Sequence, residues 1–171
     1  MKYQKLKDVC SYLPKSKIKA GEGIDNGFYP FFTSSDIKIL TINNYLFDDE
    51  LIIIGTGGKP SCNYYNGKFA VSTDNFVLKT CQSIKPKYLY YYLRKDNLNI
   101  LQQGFHGAGL QHIGKDYLNE IDVPILDVEK QVDIILNLDK INDLIEKEKE
   151  LLNDYEELIK SRFMCQEVAW S

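Results

Sequence analysis

Hydrophobic and polar positions divide the 171-residue chain into two stretches of different texture. Up to about residue 127, apolar residues fall in short runs rich in β-formers. Glycines punctuate them at 21, 23, 27, 55, 57, 58, 67, 104, 107 and 109. From Val128 to Phe163 there is neither glycine nor proline, and apolar residues recur at helical spacing instead. Short runs between breakers build strands, whereas an unbroken period near 3.6 builds a helix.

In the first stretch, Glu50 to Ile54 reads as a buried strand that ends in the loop Gly55-Thr56-Gly57-Gly58-Lys59-Pro60. Asp48-Asp49-Glu50 reads as a solvated turn just ahead of it. Asn63-Tyr64-Tyr65 leads to Asn66-Gly67, a two-residue turn signal, with Lys68 to Val71 as the next strand. Asn75 to Leu78 has the same strand character. Leu89, Tyr92 and Leu93 stand at helical spacing behind Pro86, which predicts a helix over Lys87 to Leu98. A further apolar stretch, Leu118 to Leu126, leads through Pro124 into the second region. Residues 1–127 thus read as a compact, turn-rich α/β module.

The second region is one long helix. Leu138, Ile145, Leu152 and Ile159 recur every seven positions; Ile141 and Tyr155 take the alternate seam position, which Glu148 and Arg162 interrupt. A second column, Leu144, Leu151 and Leu158, flanks the first, so the stripe is wider than a minimal two-strand seam. Outward positions carry Glu146, Lys147, Glu148, Lys149, Glu150, Glu156 and Glu157. Over residues 128–163 such a helix runs roughly 54 Å, too long to bury its stripe against its own small module. It calls for a partner helix, antiparallel or from another chain. Residues 164–171 carry no pattern, and Trp170 reads as part of a frayed end.

Composition and charge refine this division. The formal net charge is −3, yet residues 1–127 carry a net +2 and residues 128–171 a net −5. The acidity belongs to the helix, and the mildly basic module permits DNA binding. No apolar run approaches membrane-spanning length, and the amino terminus has no apolar signal-like segment. Cys10, Cys62, Cys81 and Cys165 form no CxxC pair, so they read as reduced thiols of a cytoplasmic protein, and neither His106 nor His112 joins them in a zinc-like cluster.

Catalytic signatures are missing. There is no GxSxG elbow, HExxH helix or GxxxxGK[ST] loop, and Gly55 to Gly58 lacks the spacing of a phosphate-cradling loop. No tetrapeptide of the adenine-methylating Asn-Pro-Pro-Tyr kind is present. His106 and His112 have no evident nucleophile or orienting carboxylate. What remains is a set of loops with small polar and basic residues. Ser34 and Ser35 follow Tyr29-Pro30-Phe31-Phe32. Thr56, Gly57, Gly58, Lys59, Ser61, Asn63, Tyr64, Tyr65 and Lys68 surround a second loop, and Gln111, His112 and Lys115 a third. Lysines and backbone amides suit phosphates, while Asn, Gln and Ser suit base edges.

The order of these segments resembles the specificity (S) subunit of type I restriction-modification systems. The resemblance runs through Gly27-Phe28-Tyr29-Pro30 with Ser34-Ser35, Asp49 to Gly55 with Gly57-Gly58, Tyr64 to Phe69, and Thr73-Asp74-Asn75. It continues through Tyr88 to Leu93, Gly109 to Ile113, Leu118 with Ile121, Val123 to Leu126, Gln131, Leu138 to Ile141, and Arg162-Phe163. It implies a target recognition domain with a twisted β-sheet and flanking helices over residues 1–127. A conserved-region coiled-coil helix follows over 128–163. In that family the domain reads half of a bipartite site in double-stranded DNA, and the helix spaces and docks methyltransferase (modification) subunits. A usual member holds two such units; this chain holds one, which implies a half-subunit that homodimerises through Leu138, Ile141, Leu144, Ile145, Leu151, Leu152, Tyr155, Leu158 and Ile159. S-adenosylmethionine, ATP and Mg would then belong to the methyltransferase and restriction subunits, and this chain would bind no cofactor. The alternatives are a coiled-coil-dimerising DNA-binding regulator, a silent or truncated piece of a two-domain subunit, or a small hydrolase using His106 or His112.

Overall fold

The computed structural model describes residues 2–35 and 38–168, so Trp170 lies outside the described residues. The elements are β1 (Lys2–Lys5), α1 (Leu6–Val9), β2 (Cys10–Tyr12), β3 (Tyr29–Phe32), β4 (Leu40–Ile42), β5 (Phe47–Gly55), β6 (Ser61–Val71) and β7 (Asn75–Thr80). They continue as α2 (Pro86–Gln102), β8 (Phe105–His106), β9 (His112–Ile113), α3 (Lys115–Asn119), β10 (Asp122–Ile125) and α4 (Val128–Val168). The chain divides into two units, Met1–Val132 and Asp133–Ser171.

The first unit is a mixed α/β module built on a twisted six-stranded sheet of order β2-β7-β5-β6-β3-β4. Its neighbours are antiparallel except β3 and β6, which pair in parallel at Phe31–Ala70 and Phe32–Val71. Strand β5 occupies the middle. Its Leu51, Ile52, Ile53 and Ile54 are all buried, which explains why the sequence is continuously apolar there rather than alternating. Leu51 and Ile53 pack with Phe32, Phe69, Val71 and Val77 on one face. On the other side α2 packs on β5 and β6, with Leu89 and Leu93 fully buried. Two small additions complete the unit: β1 pairs with β10, and β8 with β9.

Two local expectations are corrected. Asn66-Gly67 is no turn, because both residues lie inside the eleven-residue β6, opposite Glu50 and Asp49. The reason is non-local: β5 begins at Phe47, so Asp48 to Glu50 are strand rather than loop and offer partners to residues 66–68. Gly67 still supplies something only glycine adopts readily, a φ of +128° within the strand.

Helix α4 begins in the first unit. There Gln131, fully buried, accepts the Lys85 N–H at 2.8 Å and donates to the carbonyls of Ser83 and Leu126, each at 2.8 Å. The helix continues through Phe163 to Val168. Within the second unit, Ile141, Leu144, Ile145, Leu151, Leu152, Tyr155, Leu158 and Ile159 are exposed. No helix among the described residues is long and apolar enough to cross a membrane.

Candidate nucleic-acid interface

Strand β5 ends at Gly55, where the backbone is crowded. A Cβ on Gly55 would lie 2.1 Å from the Ser61 Oγ and 2.9 Å from the Ser34 Cα, so only glycine lets the Ser34 loop close onto the strand end. Next to it, the Thr56 N–H donates to the Asp74 carbonyl at 2.9 Å. Asn75, buried opposite Gly55, donates to the Phe32 carbonyl at 3.2 Å and to the Ser72 Oγ at 2.9 Å. These bonds hold the loop after β3 and the turn before β7 against the β5 terminus.

The third loop arrives from far along the chain. Gly58 donates its N–H to the Gln111 carbonyl at 3.0 Å, Ile113 donates to the Thr56 carbonyl at 3.1 Å, and Gly57 bridges to His112. The His112 Nδ1 lies 3.2 Å from the Thr56 carbonyl oxygen. Residues 57–58 thereby extend the β8–β9 hairpin, and Gly58 takes the left-handed conformation, φ +83°, that this contact uses. Three loops separated by tens of residues become one platform, two of them joined by backbone bonds and the Ser34 loop closed onto Gly55. It displays Lys59, Gln111 and His112 to solvent, with Ser35 also exposed and Ser34 half-buried at its border.

Other residues of the sequence-derived set lie elsewhere. Ser61 is buried as the first inward residue of β6, with no hydrogen-bond partner for its Oγ among the described residues, so its side chain is no surface contact. Thr56 is buried too and acts through its backbone. Asn63, Tyr64 and Tyr65 run along β6 opposite Ile53, Ile52 and Leu51. Tyr65 packs on Phe32 and Phe69, on the core side. The Tyr64 hydroxyl donates to Glu50 at 2.6 Å, and its ring meets Tyr90 of α2. Lys68 is exposed but sits opposite Asp48, its ammonium 4.9 Å from the centre of the Tyr45 ring.

Lys115, the first residue of α3, stands beside the platform, with its ammonium 4.6 Å from the Tyr12 ring centre and 5.5 Å from that of Phe76. Lys15, which sequence reasoning missed, lies 5.7 Å from the same Phe76 ring. No spacing along the chain could have found it: residues 13–18 are laid beside β7 and the turn before it by the Leu13–Val77 and Thr73–Ile18 backbone bonds.

Electrostatics sort the lysines. Lys5 pairs with Asp122 at 2.9 Å, Lys7 with Glu120 at 2.6 Å, and Lys79 with Asp49. Asp49 is held below the usual carboxylate range, first by the hydrogen bond from Lys79 and then by the Glu50 N–H. Among the described residues no ion pair engages Lys15, Lys17, Lys59, Lys68 or Lys115. Tyr12 stays protonated, because burial pushes its hydroxyl up to about 12. The described residues hold no group of three or more His, Cys, Asp or Glu arranged for a metal ion. The arrangement is that of a binding module: a rigid loop platform that carries exposed donors and Lys59, with Lys115 beside it.

The comparisons agree with that class. Residues 1–156 match the family described as the type I restriction modification DNA specificity domain, and the chain belongs to that family. It is 28% identical over 148 residues to the specificity subunit of the Escherichia coli type I restriction enzyme EcoDI, covering 86% of this chain and 33% of that protein. The fold is shared with the S subunit of the type I system of M. genitalium, at a TM-score of 0.73 and 15% identity over 85% of this chain and 40% of that one. It is also shared with the HsdS subunit of Thermoanaerobacter tengcongensis, at a TM-score of 0.58 and 20% identity over 85% and 38%. The chain thus spans about a third of the curated relative it matches.

Proposed function

We propose that this chain reads one half of a bipartite site in double-stranded DNA for a type I restriction-modification complex and performs no catalysis itself. Adenine methylation, with S-adenosylmethionine, falls to the methyltransferase subunits. Cleavage falls to the ATP- and Mg-dependent restriction subunit. The observation that carries the reading is the platform, in which main-chain bonds fix the backbone of residues 56–58 and 111–113 while Lys59, Gln111 and His112 stay exposed. Lysines there are suited to phosphates, and the amide of Gln111 to a base edge.

The second unit supplies the other half of the proposal. Eight of the nine stripe residues named from sequence are exposed on α4, and Leu138 is half-buried. An exposed apolar stripe of that length favours pairing with another helix. A second copy, antiparallel, would present two platforms to a site with twofold symmetry. The deciding experiment is a genome-wide adenine-methylation map of cells expressing this chain with a methyltransferase subunit, against cells lacking it. A split palindromic motif that depends on the chain supports both the role and the symmetric dimer. A split asymmetric motif keeps the role and assigns the other half to a different chain. No new motif, with soluble protein and an active methyltransferase, overturns the specificity role.

A further inference from the structure

We propose that Lys15 and Lys115, converging on the Phe76 ring, form a backbone-phosphate clamp that extends the DNA contact surface from the loop platform onto strand β7. The inference rests on the DNA-binding reading and adds Lys15, which lies outside the recognition loops, to Lys115 of the third loop.

The two lysines come from segments a hundred residues apart. Leu13 donates its N–H to the Val77 carbonyl at 2.9 Å, and Thr73 donates to the Ile18 carbonyl at 2.8 Å, so residues 13–18 run alongside the start of β7. Lys15 is thereby set against Phe76 from one side of the strand, while Lys115 reaches the same ring from α3. The ring is itself held. Tyr12 meets it edge-on, with centroids 5.6 Å apart and planes at 80°, and the Tyr12 hydroxyl donates to the Asn119 Oδ1 at 3.1 Å. Two long side chains, each costly to order, thus rest on a fixed aromatic base.

A ring face attracts an ammonium but does not neutralise it, and each ammonium keeps N–H donors for another acceptor. Elsewhere on the module, carboxylates supply that acceptor. Lys79, on the same strand as Phe76, is bonded to Asp49, and Lys5 and Lys7 are bonded to Asp122 and Glu120. Lys15 and Lys115 have no such partner among the described residues. The nearest acid by sequence, Asp116, makes itself felt at Tyr12, not as an ion pair to either lysine. Two unneutralised cations at one ring call for an anion.

Position selects which anion. Phe76 is paired with Ile54 and Asn75 with Gly55, and Thr56 donates to the Asp74 carbonyl, so the clamp adjoins the loop carrying the exposed Lys59. A strand of DNA lying on the platform would carry its phosphates along this row of cations.

The test needs no knowledge of the target sequence. Binding of the full chain to a mixed-sequence 30-base-pair duplex is measured by fluorescence anisotropy at several NaCl concentrations. Each phosphate contact contributes about 0.9 to the slope of log affinity against log salt. The Lys15→Ala/Lys115→Ala variant is therefore expected to lose about 2 from that slope and roughly tenfold or more in affinity near 0.1 M salt. Phe76→Leu, which keeps an apolar side chain but removes the ring, is expected to weaken binding by a smaller factor with the fold intact by circular dichroism. Lys2→Ala/Lys140→Ala removes the same net charge far from the ring in sequence and serves as control. An unchanged slope in the Lys15/Lys115 variant, with wild-type binding normal, overturns the clamp and leaves the DNA-binding reading standing. An equal loss in the control also overturns it, since bulk charge alone would then account for the effect. Failure of the wild-type chain to bind duplex DNA removes the clamp and the reading together.

Discussion

The side-chain oxygen of Gln131, in the first turn of α4, accepts the backbone N–H of Lys85 at the start of α2, at 2.8 Å. The same side chain donates to Ser83 and Leu126, so one buried amide closes the gap between the two helix starts and the segment that precedes each. Every polar atom of the side chain is bonded, which is what makes a fully buried glutamine tolerable.

Gln131→Ala strands one N–H and two carbonyls at once. At about 1 kcal/mol for each bond lost, the first unit is expected to lose about 3 kcal/mol. Urea denaturation followed by tryptophan-independent far-ultraviolet dichroism measures this. A loss below about 0.5 kcal/mol would show that solvent replaces these bonds without cost.

Gly55 tests the platform directly. Gly55→Ala places a methyl group against the Ser61 Oγ and the Ser34 backbone, and overpacking of this kind costs about 1–3 kcal/mol. Gly114→Ala, where an added Cβ meets nothing within 4 Å, is the matched control. The expected outcome is lower stability and weaker DNA binding for Gly55→Ala alone.

The two lysines that sequence reasoning grouped should behave differently. Lys59 projects from the bonded loop, whereas Lys68 lies far along β6 over Tyr45. Lys59→Ala is expected to lower the salt slope of duplex binding by about 0.9, and Lys68→Ala to leave it unchanged. Equal effects would mean that the contact surface follows β6 as well.

That grouping shows where the sequence is legible and where it is not. The core of β5 announces itself as an apolar run and the first part of α2 by helical spacing, both buried as their own residues dictate. The long α4 is legible from its unbroken helical period although its stripe is exposed. The turn expected at Asn66-Gly67 fails because the length of a strand is set by its partner, and β5 begins at Phe47 rather than Glu50. Ser61 looks like a loop donor but heads a strand and points inward. The union of Gly58 with Gln111, and of Lys15 with Lys115 at Phe76, comes from long-range backbone bonding that no spacing along the chain encodes.

Acid should loosen the molecule through Asp49. Its carboxylate is held below its ordinary value of 3.8, chiefly by the hydrogen bond from Lys79. A depressed folded value means that this stabilisation is complete above the unfolded value and is lost as pH falls through the folded one. Urea midpoints of Asp49→Asn should therefore be flatter than those of the wild type below about pH 4. The pair is partly exposed, so the difference should be small and shrink in high salt. Parallel curves would mean that Lys79 does not hold the carboxylate in solution.

The stripe on α4 yields the last prediction. Leu144, Leu151 and Leu158 form one column and Ile145, Leu152 and Ile159 its neighbour, all exposed in the single chain. An isolated helix gains little in water without a partner for such a stripe. In sedimentation velocity at tens of micromolar, the full chain is therefore expected to be a dimer that dissociates on dilution. Leu151→Lys/Leu158→Lys places two charges in the column and is expected to give a monomer, because desolvating an unpaired ammonium outweighs the apolar contact it replaces. Stability of the first unit should be unaffected, since both substitutions lie in the second. The variant should still bind a single half-site duplex while losing the added affinity of a two-site duplex. A wild-type chain that stays monomeric at that concentration would assign the stripe to a helix of another protein. A dimer unchanged by the two lysines would place the contact elsewhere in the chain.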